Sequence, residues 1–219
     1  MGGGFLIGAL YASLGCFTVE FCEKSVTLRT SMNVEETTLP GVLLIHPAVF
    51  GDERGFFSET YHLARYQEAG VPDPFVQDNH SQSSHGVLRG LHYQIEHPQG
   101  KLISVLTGEI FDVAVDIRRG SPTFGSWTGA TLSADNHRQL YVPPGFAHGF
   151  CVTSDRADVM YKCTDIYFPA GDRGVLWSDP RLGIDWPVAS PDLSEKDQRL
   201  PLLQDIPEAD LPVYPGSDR

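Results

Sequence analysis

The sequence predicts an all-β fold, a double-sheet jelly roll. Three observations carry that expectation. From residue 41 to residue 163, short apolar runs recur at near-regular spacing, and only one helical pattern falls among them. Gly, Pro and Ser turns separate the runs, and the chain holds 22 Gly and 16 Pro among its 219 residues. At 41% hydrophobic residues the chain can bury a full core, and its length fits one domain plus extensions. We therefore expect a single jelly-roll domain over residues 39–219, ending in an irregular and partly helical segment. Ahead of it we expect a poorly ordered N-terminal extension over residues 1–38.

Residues 5–17 are apolar and small, but only Met and Gly precede them. The positive start of a secretory signal is missing, and the stretch is too short to span a membrane. Ser13-Leu14-Gly15-Cys16 is a near miss for a lipoprotein cleavage site; an upstream leader, with Met32 as a natural start, fits better. A first strand is expected over 42–45. Gly51-Asp52-Glu53-Arg54-Gly55 is a charged turn leading into a second strand over 56–61. Residues 62–70 carry a helical pattern that stops on Gly70. Extended chain returns over 75–81, and residues 87–94 alternate as a strand. Further runs follow over 102–106, 108–117, 127–132, 140–150 and 159–163. The chain turns irregular from Phe168 until Ser194, a good N-cap, opens a short helix with Glu195 and Asp197 in its first turn.

A formal net charge of −12 argues against general nucleic-acid binding, which needs a basic surface to displace counterions. Any anionic ligand must be held by a local cluster of cations. Cys16, Cys22, Cys151 and Cys163 have neither CxxC spacing nor the density of a disulfide scaffold, and read as reduced, cytosolic residues.

The rest of the chain is organised around Val87-Leu88-Arg89-Gly90-Leu91-His92-Tyr93-Gln94, with Lys101 shortly after. Two cations and a titratable base in so short a stretch suit an anionic ligand. Strand alternation puts Arg89 and His92 on opposite faces unless Gly90 introduces a bulge that re-aims the side chains beyond it. Pro143-x-Gly145-x-x-His148 matches the later half of the metal motif of cupin-type jelly rolls. The earlier half is missing, because no His-x-His occurs anywhere, and a catalytic metal normally needs three protein ligands. We expect no metal and no cofactor. His92, His148, Lys101, Arg89 and Tyr161 would then form a metal-free acid–base site: histidine removes a proton α to a ketone, Lys101 holds the enolate oxygen, and Tyr161 returns a proton.

Six stretches carry a resemblance: Gly51-Asp52-Glu53-Arg54-Gly55-Phe56-Phe57, Gln77-Asp78-Asn79-His80-Ser81, Leu88-Arg89-Gly90-Leu91-His92-Tyr93-Gln94, Phe111-Asp112-Val113-Ala114-Val115-Asp116-Ile117-Arg118, Ser121-Pro122-Thr123-Phe124-Gly125 and Pro144-Gly145-Phe146-Ala147-His148-Gly149-Phe150. In order and in spacing, from about residue 41 to 207, they resemble the dTDP-4-dehydrorhamnose 3,5-epimerase family. The resemblance implies a cytoplasmic, homodimeric jelly roll without cofactor, acting on dTDP-4-dehydro-6-deoxy-D-glucose and inverting C3 and C5, with no nucleic-acid or membrane partner. By position His92 resembles the family's proton acceptor and Tyr161 its proton donor, Lys101 would stabilise the enolate, and Asp197 falls where the family places the carboxylate of a His–Asp dyad. Arg54, Glu59, Gln77, Asp78, Asn79, Arg89, His148, Asp172 and Lys196 fall where the family holds the nucleotide diphosphate sugar or supports the site. The departures are the N-terminal extension and Asp172, at a position where an acidic residue of either length fits. Two other readings stay open. One is an epimerase or ketoisomerase that moves a single centre of a related dTDP-4-keto-deoxysugar; the other is a non-catalytic jelly roll that binds a nucleotide sugar, which the presence of base, oxyanion holder and proton donor disfavours.

Overall fold

The computed structural model describes residues 17–21, 24–28 and 31–215. The apolar stretch ahead of Phe17, and Cys16 and Cys22 with it, lie outside the described residues, as do the expectations made for them. Of the expected extension, β1 (Phe17–Phe21) and β2 (Lys24–Leu28) pair as an antiparallel hairpin.

The elements then run β3 (Asn33–Glu36), β4 (Leu43–His46), β5 (Val49–Asp52), β6 (Gly55–Ser58) and helix α1 (Leu63–Glu68). Eight strands follow: β7 (Gln77–Ser84), β8 (Leu88–Gln94), β9 (Lys101–Thr107), β10 (Glu109–Asp116), β11 (Trp127–Ser133), β12 (Gln139–Val142), β13 (Phe146–Val152) and β14 (Arg156–Cys163). A short β15 (Asp172–Gly174) and the four-residue helix α2 (Glu195–Gln198) come next, and two 3-10 turns, Leu203–Asp205 and Glu208–Asp210, follow them. Their pairing builds two antiparallel sheets, in the order β3-β4-β12-β9-β14-β7 and β11-β10-β13-β8-β15, with β5 and β6 as a separate hairpin. The fold is a double-sheet jelly roll.

Three apolar layers hold it together. Between the sheets, Ile103 and Val159 of one pack with Ile110, Phe146 and Phe150 of the other. Full burial of each such aliphatic side chain is worth about 1.5–3 kcal/mol. Outside the five-stranded sheet, Val113, Val115 and Leu91 are covered by Val175, Leu182, Leu203 and Ile206 of the C-terminal segment. Outside the six-stranded sheet, Ile45, Leu102 and Tyr141 are covered by Tyr66 of α1 and by Val71. Strand β10 therefore meets apolar cover on both faces, which is why 108–117 reads as a nearly continuous apolar run.

The helix at 62–70 ends as its sequence directs, with Gly70 at φ +97 just past the C-cap. The run over 140–150 is two strands, because Pro143 and Pro144 lack the N–H a ladder needs and end β12. The six-stranded sheet also takes in Asn33–Glu36, ahead of the boundary expected at residue 39; Val34 packs beside Ile45 and supplies the apolar contact.

Candidate active site

A cavity of about 800 Å³ lies between the sheets. Its walls come from β8 and β13 on one side, β7, β9 and β14 on the other, and the 192–197 segment. Strand β8 is irregular where it faces this space. It pairs with β13 as Arg89↔Phe150 and His92↔His148, so three steps on β8 match two on β13 and one residue is extra. Gly90 makes the bulge possible: at φ +125, a Cβ there would lie 2.6 Å from Gly149 Cα. Gly149 is held to glycine in turn, since its Cβ would fall 2.7 Å from the Arg89 carbonyl oxygen. The bulge turns Arg89 and His92 into the same cavity.

The C-terminal segment docks beside the start of β8. The Leu88 N–H donates to the Asp192 carbonyl at 2.9 Å, and the Asp192 N–H to the Gly86 carbonyl at 2.9 Å. Ser194 then caps α2, its Oγ accepting from the Asp197 N–H at 3.1 Å. This turn aims the Asp197 carboxylate inward, where it is only 3% exposed and its Oδ1 lies 2.6 Å from His92 Nε2. Burial alone would raise the Asp197 carboxyl, but hydrogen bonds from His92, Ser194 and the Gly90 N–H outweigh it and hold the group below the usual carboxylate range. With Nε2 committed to the carboxylate, Nδ1 of His92 is left for the cavity.

A second pair stands beside the first. His148 Nε2 lies 2.8 Å from Asp112 Oδ1, and both residues are buried. Burial pushes the Asp112 carboxyl up, against the pull of His148 and Lys101. From the facing sheet comes Lys101, also buried; desolvation lowers its ammonium pKa, opposed by Cys163, Asp172 and Asp112. Among the described residues no carboxylate approaches it within ion-pair distance. Tyr161 lines the same wall, and burial above all raises its phenol pKa, so it keeps its proton. Arg89 donates from Nε to Ser83 Oγ at 3.0 Å and lines the cavity beside Gln77 and Asn79. At the margin, Asp172 accepts from the Tyr167 hydroxyl at 3.0 Å and pairs with the Lys196 ammonium.

The model of the dTDP-4-dehydrorhamnose 3,5-epimerase family matches residues 36–205. The chain belongs to that family. It is 58% identical over 168 residues to a dTDP-4-dehydrorhamnose 3,5-epimerase of Shigella flexneri, covering 76% of this chain and 93% of the relative. The crystal structure of the Legionella pneumophila dTDP-6-deoxy-D-glucose-3,5-epimerase in complex with dTDP-4-keto-L-rhamnose superposes with a TM-score of 0.82. That alignment, at 54% identity, covers 84% of this chain and 98% of the other. A Streptomyces niveus relative named dTDP-4-dehydrorhamnose 3-epimerase is 41% identical over 186 residues, covering 84% of this chain and 90% of the relative.

Set against this epimerase family's pattern, the cavity gathers His92, Lys101, Tyr161, Asp197, Gln77, Asn79, Arg89, His148, Asp172 and Lys196. Arg54, Glu59 and Asp78 do not line it. Arg54 sits at the exposed tip of the β5–β6 hairpin, its Nε 3.1 Å from Asp52 Oδ1. Glu59 pairs with Arg65, and Asp78 accepts from Lys162 Nζ at 3.0 Å. Sequence reasoning gave no role to Tyr167, which lines the cavity, or to Asp112, which stands behind the cavity residue His148. An aspartate inside the apolar run 110–117 was the available signal for Asp112, since a buried charge is rare unless paired. Nothing in the sequence marked Tyr167.

Proposed function

We propose that His92, Asp197, Lys101 and Tyr161 carry out the family's reaction here by acid–base enolisation. The activity is inversion at C3 and C5 of dTDP-4-dehydro-6-deoxy-D-glucose, both α to the C4 ketone, giving dTDP-4-dehydro-L-rhamnose. One observation carries the assignment of roles: the base and the acid stand on opposite sheets, His92 on β8 and Tyr161 on β14, across one cavity. Inversion needs a proton taken from one face of the sugar and returned to the other. His92 Nδ1 takes the α-proton, and Asp197 stabilises the imidazolium that results. The electron pair moves to the C4 oxygen, where Lys101 meets the negative charge. Tyr161 delivers its proton to the opposite face of the enolate carbon. Arg89 supports binding of the diphosphate.

We further propose a homodimer. Arg54 and Glu59 do not line this chain's own cavity, and Phe56 and Phe57 on the β5–β6 hairpin are exposed. A second copy's hairpin would bring both residues to the ligand. A cytoplasmic location agrees with the unpaired, buried Cys151 and Cys163. Among the described residues no helix is long and apolar enough to cross a membrane.

The test is incubation with dTDP-4-dehydro-6-deoxy-D-glucose in D2O, following the C3 and C5 protons by NMR. Deuterium at both centres with formation of the doubly inverted ketosugar supports the reading. Exchange and inversion at C3 alone would make the chain a single-centre epimerase, and binding without exchange would make it a binding module.

A further inference from the structure

Asp112, Asp116, Asp179 and Asp197 have almost no contact with solvent. Two of them meet no cavity histidine and are fully used as acceptors. Asp116 takes Arg118 on Oδ1 and Arg118, Ser121 and Thr123 on Oδ2. Asp179 takes the Arg181 N–H on one oxygen and the Leu203 N–H on the other. The remaining two each meet a cavity histidine. Asp112 stands apart even from Asp197, because its Oδ1 lies 2.8 Å from His148 Nε2 while its Oδ2 is buried with no hydrogen-bond partner. A buried carboxylate with an idle oxygen suits a purely structural task poorly, since an apolar side chain of similar volume packs as well or better.

The groups around this pair are those of the reaction. His148 stands directly across from His92 in the β13–β8 ladder. Lys101 and Tyr161 face it from the other sheet, lining the same cavity. The negative charge on Asp112 acts on Lys101 as well as on His148. Resting on the acid–base reading above, we propose that Asp112 is a positioning residue: it holds the Nε2–H of His148 in the core, so that Nδ1 is turned to the cavity, and sets one negative charge behind His148 and Lys101. A carboxylate can only accept, so it admits a single tautomer and ring orientation at its partner nitrogen. An amide in its place can also donate to Nε2, which would move the proton to Nδ1 and reverse what the cavity meets.

The test uses Asp112→Asn, His148→Gln and the double variant in the full chain. Asp112→Asn is expected to lower kcat about 10–100-fold, the range found for carboxylates that orient metal-bound histidines, taken here as the scale for an orienting carboxylate. Its affinity for dTDP, read by calorimetry, should match the wild type. Asp112→Asn made on His148→Gln should cost clearly less than on the wild type, because the part of its effect that acts through His148 is already lost. Nitrogen-15 spectra of histidine-labelled wild-type protein should show His148 protonated at Nε2. A folded Asp112→Asn with undiminished kcat, or losses that multiply in the double variant, would overturn the proposal. So would a wild-type His148 protonated at Nδ1 alone, a measurement that decides the matter even where Asp112→Asn does not fold. A wild-type protein that exchanges neither C3 nor C5 would refute the proposed function instead, and the two failures are separable.

Discussion

His92 meets Asp197 across 105 positions of sequence, whereas His148 meets Asp112 across 36. The nearer pair comes from neighbouring strands of one sheet and is buried, with only His148 reaching the cavity wall. The distant pair needs a four-residue helix, with its cap and the bridge from Asp192 to Val87, to close over β8, and its histidine side chain stays 32% exposed. The jelly roll thus supplies one histidine–carboxylate pair by itself, and the irregular C-terminal segment supplies the other. Charge separates them as well: hydrogen bonds hold the Asp197 carboxyl low, while burial pushes the Asp112 carboxyl up. The pair with access to the cavity mouth and a firmly ionised carboxylate suits proton transfer. The buried pair suits fixed orientation and electrostatics.

The widest separation between the pairs should come from the base itself. His92→Ala is expected to lose on the order of 10²–10⁴ in kcat, the contribution of a positioned general base, with dTDP binding retained. A folded His92→Ala that keeps most of its activity would remove the exposed pair from the chemistry. Tyr161→Phe comes next. The α-protons should still exchange into D2O through His92 while inversion, above all at C5, is impaired; unchanged yield of the doubly inverted product would contradict a donor role for Tyr161. Asp197→Asn should cost about 10–100-fold in kcat with little change in KM, since the ring is then held by an amide instead of a carboxylate. Equal losses in kcat and in dTDP affinity would make Asp197 a binding residue. A further outcome tests the homodimer: mixing inactive Arg54→Ala with inactive His92→Ala subunits should restore activity through hybrid dimers that contain one intact cavity. No recovery, from subunits shown to exchange, would confine each site to a single chain.

Much of this was legible before the structure. Turn spacing and short apolar runs indicated two sheets, Gly70 marked the end of α1, and Ser194 marked the start of α2. His92, Lys101 and Tyr161 were singled out by chemistry and line one cavity. The features out of reach depend on contacts between distant segments. Whether Arg89 and His92 share a face is decided by Gly90 meeting Gly149 on β13, and no local pattern in 87–94 contains that contact. Asp197 looks like an ordinary first-turn carboxylate, and only the family resemblance tied it to His92. Asn33–Glu36 carries a single apolar residue, Val34, too little to read as a strand without its partner β4. Asp112 went unremarked because its partner lies on another strand.

The smallest expected effect is the most discriminating, because it differs in sign between the two carboxylates. Asp197 has a folded pKa below its ordinary value of 3.8, so at acid pH the unfolded chain binds the proton more readily. Its contribution to stability is complete above 3.8 and is lost as pH falls through the lowered folded value. Asp112 has a folded pKa above 3.8, so between that value and the raised one the folded chain binds more protons. Its contribution is present below 3.8 and is lost as pH rises through the raised folded value. Thermal melting of wild type, Asp197→Asn and Asp112→Asn across the acid range should show this directly. The wild type should gain on Asp197→Asn as pH rises from the acid end, and lose ground to Asp112→Asn as pH climbs above 3.8. Slopes of the same sign for both variants would mean that the two carboxylates share one electrostatic environment, and the division between a proton-transferring pair and a buried, orienting pair would fall. Opposite slopes would mean that the fold gives up stability at neutral pH to keep an ionisable group at Asp112, as expected of a residue retained for what it does to His148.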